Sequence, residues 1–244
     1  MRKIALVTGA YKGLGLEWSR QLAKEGFTVI LTARNYIKAK KAADDLQKED
    51  LQIIPKVLNV ANEENIKKIA DEIKTEFGHL DLLINNAGIN SKDSGDNNLF
   101  MKSFRLADLD AEEVLRHIRI NSIAPIITVK HFRNLLNKSN NPIVVSISSW
   151  LGSISKKNIG GHYGYATSKS ALNMMNKAMA LELQDEGIIA IVVNPGWVQT
   201  DMGGTKAPLT TKQSVIGLID NVINKINIGD TGKFYQWDGS EHPW

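Results

Sequence analysis

Short apolar runs alternate along this chain with longer amphipathic ones, and that alternation restricts the fold more than any other feature. Residues 4–7, 28–31, 53–58, 80–84, 143–147 and 188–193 read as strands. Several are apolar at nearly every position, as strands covered on both faces must be. Between them, residues 14–24, 37–48, 63–77, 111–136 and 165–183 carry helical periodicity. Repeated strand–helix–strand units call for an open α/β sheet, mostly parallel, with right-handed crossovers. Residues 234–237 add a short last strand. The 244 residues make one domain, 1–244, with no room for a separate substrate domain.

Composition removes several kinds of chemistry. There is no cysteine, so disulfides, thiolate-bound zinc, iron–sulfur clusters and cysteine nucleophiles are excluded. No metal site is expected. Thirty basic and 26 acidic side chains leave a net charge of +4, scattered without a dense basic run. That pattern suits a small anionic ligand and argues against a nucleic-acid partner. No apolar run approaches the roughly 18 residues of a membrane span. The apolar part of residues 1–8 is too short for a signal peptide and runs into a glycine-rich turn. The expectation is a cytoplasmic protein with no membrane partner.

Four motifs carry candidate chemistry. Thr8-Gly9-Ala10-Tyr11-Lys12-Gly13-Leu14-Gly15 lies between the first strand and the first helix. Glycines there permit a tight turn and close approach of backbone to a pyrophosphate, and the helix N-terminus supplies N–H donors. Asn85-Asn86-Ala87-Gly88 closes the fourth strand. Taken alone it is an ordinary turn. Tyr165-Ala166-Thr167-Ser168-Lys169 places its tyrosine and lysine about 40° apart around a helix, on one face. An ammonium beside a phenol favours the phenolate and yields a proton donor–acceptor usable nearer neutral pH. Tyr163 is the rival, about 120° from Lys169. Ser146-Ile147-Ser148-Ser149-Trp150-Leu151-Gly152 ends the fifth strand and offers hydroxyls to the same crevice, or to nearby loop amides. The polar stretch 90–98 reads as a surface loop at the ligand-binding end of the sheet.

Together with Pro195-Gly196, these motifs in this order resemble the short-chain dehydrogenase/reductase family over essentially the whole chain. Residues 194–204, Ala207-Pro208-Leu209 and the ending Asp238-Gly239…Pro243-Trp244 look like the branch holding sniffer-type carbonyl reductases and C-factor-like proteins. The resemblance implies a doubly wound, Rossmann-like sheet of about seven strands. It also implies a catalytic tetrad of Asn121, Ser149, Tyr165 and Lys169, with Ser148 as the alternative serine. Tyr165 would protonate a carbonyl oxygen or deprotonate an alcohol, and Ser149 would polarise the carbonyl. Lys169 would lower the tyrosine pKa and hold the nicotinamide ribose, while Asn121 would hold a water in a proton relay.

The resemblance places the cofactor against Gly9, Tyr11, Lys12, Gly13, Leu14, Gly15, Asn86, Ala87, Gly88, Tyr165 and Lys169. Asn59 and Val60 would lie near adenine, and Pro195, Val198 and Thr200 near the nicotinamide amide. Leu31-Thr32-Ala33-Arg34-Asn35, after the second strand, lacks the acid that holds a ribose 2′-hydroxyl in NAD enzymes. Arg34 would attract a 2′-phosphate, with Lys12 as a second cation, so NADP(H) is expected. Otherwise both are solvated charges. Trp150, Trp197, Tyr163 and Met202 form a candidate apolar substrate wall, or else core and subunit contacts. Lys156 and Lys157 belong to a solvated loop or attract an acidic substrate. The activity implied is reversible, NADPH-linked reduction of an aldehyde or ketone. The alternatives are 3-oxoacyl-thioester reduction and a non-catalytic NADP(H)-binding signalling protein. A homodimer or homotetramer is expected from the same resemblance.

Overall fold

Each strand divides its side chains between two cores, and this division builds the domain. On the first strand Ala5 and Val7 face one core while Ile4 and Leu6 face the other. That is the period-2 alternation of a strand buried on both faces. The computed structural model describes residues 2–244; Met1 and the side chains of residues 93 and 94 lie outside the described set.

In chain order the elements are β1 (Ile4–Val7), α1 (Gly13–Lys24), β2 (Thr28–Ala33), α2 (Tyr36–Gln47), β3 (Ile53–Val57), α3 (Glu63–Glu76) and β4 (Leu82–Asn85). They continue with α4 (Asn97–Phe104), α5 (Ala111–Ile118), α6 (Ala124–Leu136), β5 (Ile143–Ile147), α7 (Tyr163–Leu183), β6 (Ile189–Asn194), α8 (Thr211–Leu218) and β7 (Phe234–Gln236). The seven strands form one sheet in the order β3-β2-β1-β4-β5-β6-β7. Every pairing is parallel. One face packs under α1, α2 and α8 through Trp18, Leu22, Leu46 and Leu218. The other packs under α3, α6 and α7 through Ile66, Ile73, Phe132 and Leu183.

The topology fixes where a ligand sits. From β1 the chain moves outward to β2 and β3, then returns to β4 on the other side of β1. A crevice opens at the carboxyl ends of β1 and β4, the switch point where open α/β sheets bind ligands. The glycine-rich turn leaves β1 there, and Asn86-Ala87-Gly88 leaves β4 beside it.

Helix caps mark the same place. Asn35, Asn62, Asp96, Asp110 and Thr210 accept backbone N–H bonds at the starts of α2, α3, α4, α5 and α8. Side-chain caps of this kind satisfy donors that a helix start leaves open. The N-cap of α1, Lys12, makes no such bond, and its first turn holds no acid. The N–H groups of α1 are left for something outside the helix.

Two readings of the sequence change. The stretch 111–136 is not one uniform helix: a π-turn, Arg119–Ile123, separates α5 from α6. Pro125 stands four residues after Asn121 and has no N–H to give the Asn121 carbonyl. The polar stretch 90–98 is more ordered than a plain loop. It holds a 3₁₀ turn, Ser91–Ser94, and the first residues of α4.

Candidate active site

The Thr8 hydroxyl ties the two turns together. Its Oγ accepts from the backbone N–H of Asn86 at 3.0 Å and of Ala87 at 2.9 Å. The Asn86 amide then donates to the carbonyls of Thr8 (2.9 Å) and Gly9 (3.1 Å). Asn86 therefore braces the glycine turn through its side chain. The fit leaves no space for a β-carbon. One on Gly15 would stand 2.5 Å from Asn86 Nδ2 and 2.7 Å from the Gly9 carbonyl. One on Gly9, where φ is +63°, would stand 3.0 Å from Ala87 Cα. The two turns pack too closely for side chains at Gly9 and Gly15, which leaves the backbone N–H groups at the start of α1 open to a pyrophosphate.

Gly88 brings in the next group. A β-carbon there would lie 3.2 Å from Asn121 Oδ1 and 3.8 Å from Lys169 Nζ. Thus β4, the π-turn and α7 converge. Asn121 spends its amide on structure: Oδ1 accepts from Ile89 N–H at 2.8 Å, and Nδ2 donates to the Ile89 carbonyl and Ser168 Oγ at 2.9 and 3.0 Å. Any water held by this residue falls to its backbone carbonyl, which Pro125 leaves without the usual helical donor.

Lys169 is 5% exposed and donates to the Ile147 carbonyl at 2.6 Å. No carboxylate pairs with it among the described residues. Burial without a counter-charge penalises the ammonium and lowers its pKa to about 8. Its Nζ lies 5.7 Å from the centroid of the half-buried Tyr165 ring. Tyr165 and Lys169 share a face of α7, as the four-residue spacing predicts. Tyr163 occupies the first position of α7 and is 37% exposed.

The two serines after β5 part company. Ser148 Oγ donates to Asn173 Oδ1 at 2.6 Å and is buried beneath α7. Ser149 Oγ accepts from Leu151 N–H at 3.2 Å, and its own proton has no acceptor among the described residues. Trp150 opens the short 3₁₀ turn that follows, whose Gly152 packs against Lys169. Lys156 and Lys157 are exposed in the next loop, and Lys157 Nζ donates to the Gly161 carbonyl at 3.1 Å.

At the other end of the crevice, Arg34 is exposed just past β2 and has no carboxylate partner among the described residues. Tyr11 packs on the core edge, with Lys12 Nζ 5.6 Å and Lys38 Nζ 5.3 Å from its ring centroid. Lys12 pairs with Asp201 at 2.5 Å, which raises the lysine pKa and lowers that of the aspartate. Sequence reasoning had no means of seeing that pair, whose members are 189 residues apart. Asn59 and Val60 follow β3, where Asn59 Oδ1 accepts from Ala61 N–H at 3.2 Å. After β6, Ser214 donates to the Pro195 carbonyl at 2.6 Å, and Val198 bridges to Leu209. Trp197 is half-exposed, with its indole donating to the Gly203 carbonyl at 2.8 Å; Met202 is partly buried nearby.

This geometry has known parallels. The family profile described as short chain dehydrogenase matches residues 3–209. C-signal of Myxococcus xanthus is 35% identical over 167 residues, covering 68% of this chain and 94% of that protein. The solved structure of carbonyl reductase Sniffer of D. melanogaster matches with a TM-score of 0.88 and 30% identity, 100% of each chain being covered. NADPH-bound carbonyl reductase from chicken fatty liver gives 0.88 at 28% identity, covering 100% of this chain and 99% of that one. The profile spans well over half of the chain and the structural match its whole length: the chain belongs to the short chain dehydrogenase family.

Proposed function

We propose that this protein is an NADPH-dependent reductase of aldehyde or ketone carbonyls that also runs in the alcohol-oxidising direction. The observation that carries the reading is the meeting of a buried, uncompensated Lys169 with Tyr165 at the switch-point crevice. A buried cation without a partner costs stability, and such groups concentrate at functional sites. The NADPH bound to the chicken carbonyl reductase supports the choice of cofactor.

The crevice fits such a cofactor. Gly9, Gly13, Leu14 and Gly15 present backbone and the open start of α1 to a pyrophosphate. Tyr11, Lys12 and Arg34 flank the adenosine end, with Asn59 and Val60 beside it. Asn86, Ala87, Gly88, Pro195, Val198 and Thr200 border the nicotinamide half with Tyr165 and Lys169. When bound, the cofactor supplies or accepts the hydride.

The chain's own groups handle the proton. Ser149 keeps its O–H proton for a carbonyl oxygen and polarises it. The Tyr165 phenol donates a proton to that oxygen as it gains charge. The Lys169 ammonium stabilises the phenolate that Tyr165 becomes. Asn121 holds segment 88–89 onto α7 and so fixes the floor of the site.

Exposed Leu115 on α5, and Met174 and Leu181 seven residues apart on α7, offer an apolar surface for a homodimer or homotetramer. Sedimentation tests that assembly. A second reading, a signalling protein that only binds NADP(H), draws on the similarity to C-signal. A panel of aldehydes and ketones with NADPH or NADH, repeated on Arg34→Asp, tests the main reading. Turnover with NADPH, weakened in the variant, supports it. Equal turnover with NADH, or none with either cofactor, refutes it.

A further inference from the structure

Ser149 and Tyr165 stand near the two ends of one connection, the stretch that joins β5 to α7. Its first residues are fixed on α7. The Gly152 carbonyl accepts from Ser170 Oγ at 2.8 Å and from Asn173 Nδ2 at 3.2 Å. A β-carbon on Gly152 would stand 2.9 Å from Lys169 Cβ. Residues 153–162 then continue without helix or strand, and Ile154 and Ile159 are exposed. The far end of this stretch is held by α4. The Phe104 carbonyl accepts from His162 N–H at 3.0 Å, and the Phe104 ring stands edge-on to the His162 ring at 4.6 Å.

A second clamp comes from the segment after β7. The main-chain oxygen of Trp244 accepts from Ser155 N–H at 3.0 Å and from Ser155 Oγ at 2.5 Å. Trp244 is itself seated on β7. Its ring lies 5.4 Å from the Phe234 ring, against which His242 packs edge-on at 4.7 Å. His242 N–H donates to the Phe234 carbonyl at 2.6 Å, and Glu241 pairs antiparallel with Tyr235. Neither ring nitrogen of the buried His242 has a hydrogen-bond partner among the described residues, so its side chain serves packing. Phe234 is fully buried and clusters with Val192 of β6 and Leu172 of α7, three residues past Lys169. The contacts close a circuit from α7 through Phe234, Trp244 and Ser155 back to Ser149.

We propose that Trp244 is a positioning residue for the carbonyl site: packed on Phe234, it holds Ser155 and so fixes the β5–α7 connection beside Ser149. The proposal rests on the carbonyl-reductase reading above. The argument is entropic. An irregular stretch held only at its ends samples many conformations, and a substrate that must order it binds more weakly. A clamp at Ser155 shortens the free span and meets that cost during folding. Trp244 acts through Ser155 rather than on the reacting atoms, so its effect falls on KM and leaves kcat alone.

Two readouts test this on wild type, Trp244→Ala and Trp244→Phe: amide hydrogen exchange at Ser155, and steady-state reduction of benzaldehyde and hexanal by NADPH. Trp244→Ala is expected to speed exchange at Ser155 about threefold to tenfold, as suits the loss of one exposed hydrogen bond. It is expected to raise KM for both aldehydes by about the same factor, with kcat and NADPH affinity unchanged. Trp244→Phe keeps a ring on Phe234 and is expected to restore both readouts. Unchanged exchange in Trp244→Ala overturns the clamp. Faster exchange with unmoved KM overturns the positioning role, because a merely structural ring would lower the melting temperature and leave KM alone. A Trp244→Phe variant no better than Trp244→Ala overturns the packing argument. If wild type reduces neither aldehyde nor any other carbonyl of the panel, the carbonyl-reductase reading fails and the positioning role with it. Exchange at Ser155 then still decides whether Trp244 clamps the connection.

Discussion

Lys169→Met removes the charge from the most enclosed cation of the site while keeping much of its volume. The ammonium pKa falls from 10.5 to about 8 on burial. A gap of that size corresponds to roughly 3 kcal/mol against folding at pH 7, since each unit is about 1.4 kcal/mol. The variant also strips the Ile147 carbonyl of its donor, which costs about 1 kcal/mol. Lys169→Met is therefore expected to be about 2 kcal/mol more stable than wild type at pH 7, and inactive. The sign follows from linkage. Between pH 8 and 10.5 the unfolded chain binds more protons at this lysine than the folded one, so wild type gains stability as pH rises. The advantage of the variant should shrink by roughly 2 kcal/mol between pH 7 and pH 9.5. Urea unfolding at the two pH values, with Tyr165→Phe introduced into both proteins to remove the neighbouring phenol, measures it, because the remaining groups titrate alike in each. A variant less stable than wild type at pH 7, or a difference independent of pH, would refute the reasoning.

Four further predictions rest on the same geometry. Ser149→Ala should lower kcat by about 10²–10³ through loss of one donor to the reacting oxygen, with little change in melting temperature. Ser148→Ala should do the reverse, because it orphans Asn173 Oδ1 at a cost of about 1–3 kcal/mol; steady-state kinetics beside thermal melting separates the two. Gly15→Ala drives a methyl group to 2.5 Å from Asn86 Nδ2 and should abolish cofactor binding by fluorescence titration, even if the variant still folds. With a pKa of about 8, the Lys169 ammonium is lost as pH rises, so kcat/KM for carbonyl reduction should fall above that pH; a flat profile to pH 10 would count against the role given to this lysine.

Strands bounded by abrupt polarity changes were legible in the sequence. β1 and β5 run over the residues read from it, Ile4–Val7 and Ile143–Ile147. β2 continues to Ala33, beyond the run read as apolar, because buried Thr32 satisfies its hydroxyl on the Val7 carbonyl at 3.0 Å. Residues 80 and 81 precede β4: Leu80 N–H goes to the Leu135 carbonyl on α6. The helix α8 was missed although Thr210 and Gln213 spell a capping box ahead of Val215, Leu218 and Val222. The π-turn was also missed, despite the signal of Pro125 behind Asn121. The tyrosine–lysine pair and the glycine turn could be read because their chemistry is local. The resemblance already favoured Ser149, but the reason Ser148 is occupied needed Asn173, and the partner of Lys12 needed Asp201, both contacts that only tertiary structure brings about.

The central claim is that Tyr165 transfers the proton in an NADPH-linked carbonyl reduction. Single-turnover mixing of NADPH-loaded wild type and Tyr165→Phe with a reducible aldehyde, with cofactor affinity measured in parallel, tests it most directly. The account predicts unchanged NADPH affinity and a loss of about 10²–10⁴ in the rate of NADPH oxidation. A variant that oxidises NADPH as fast as wild type would contradict it.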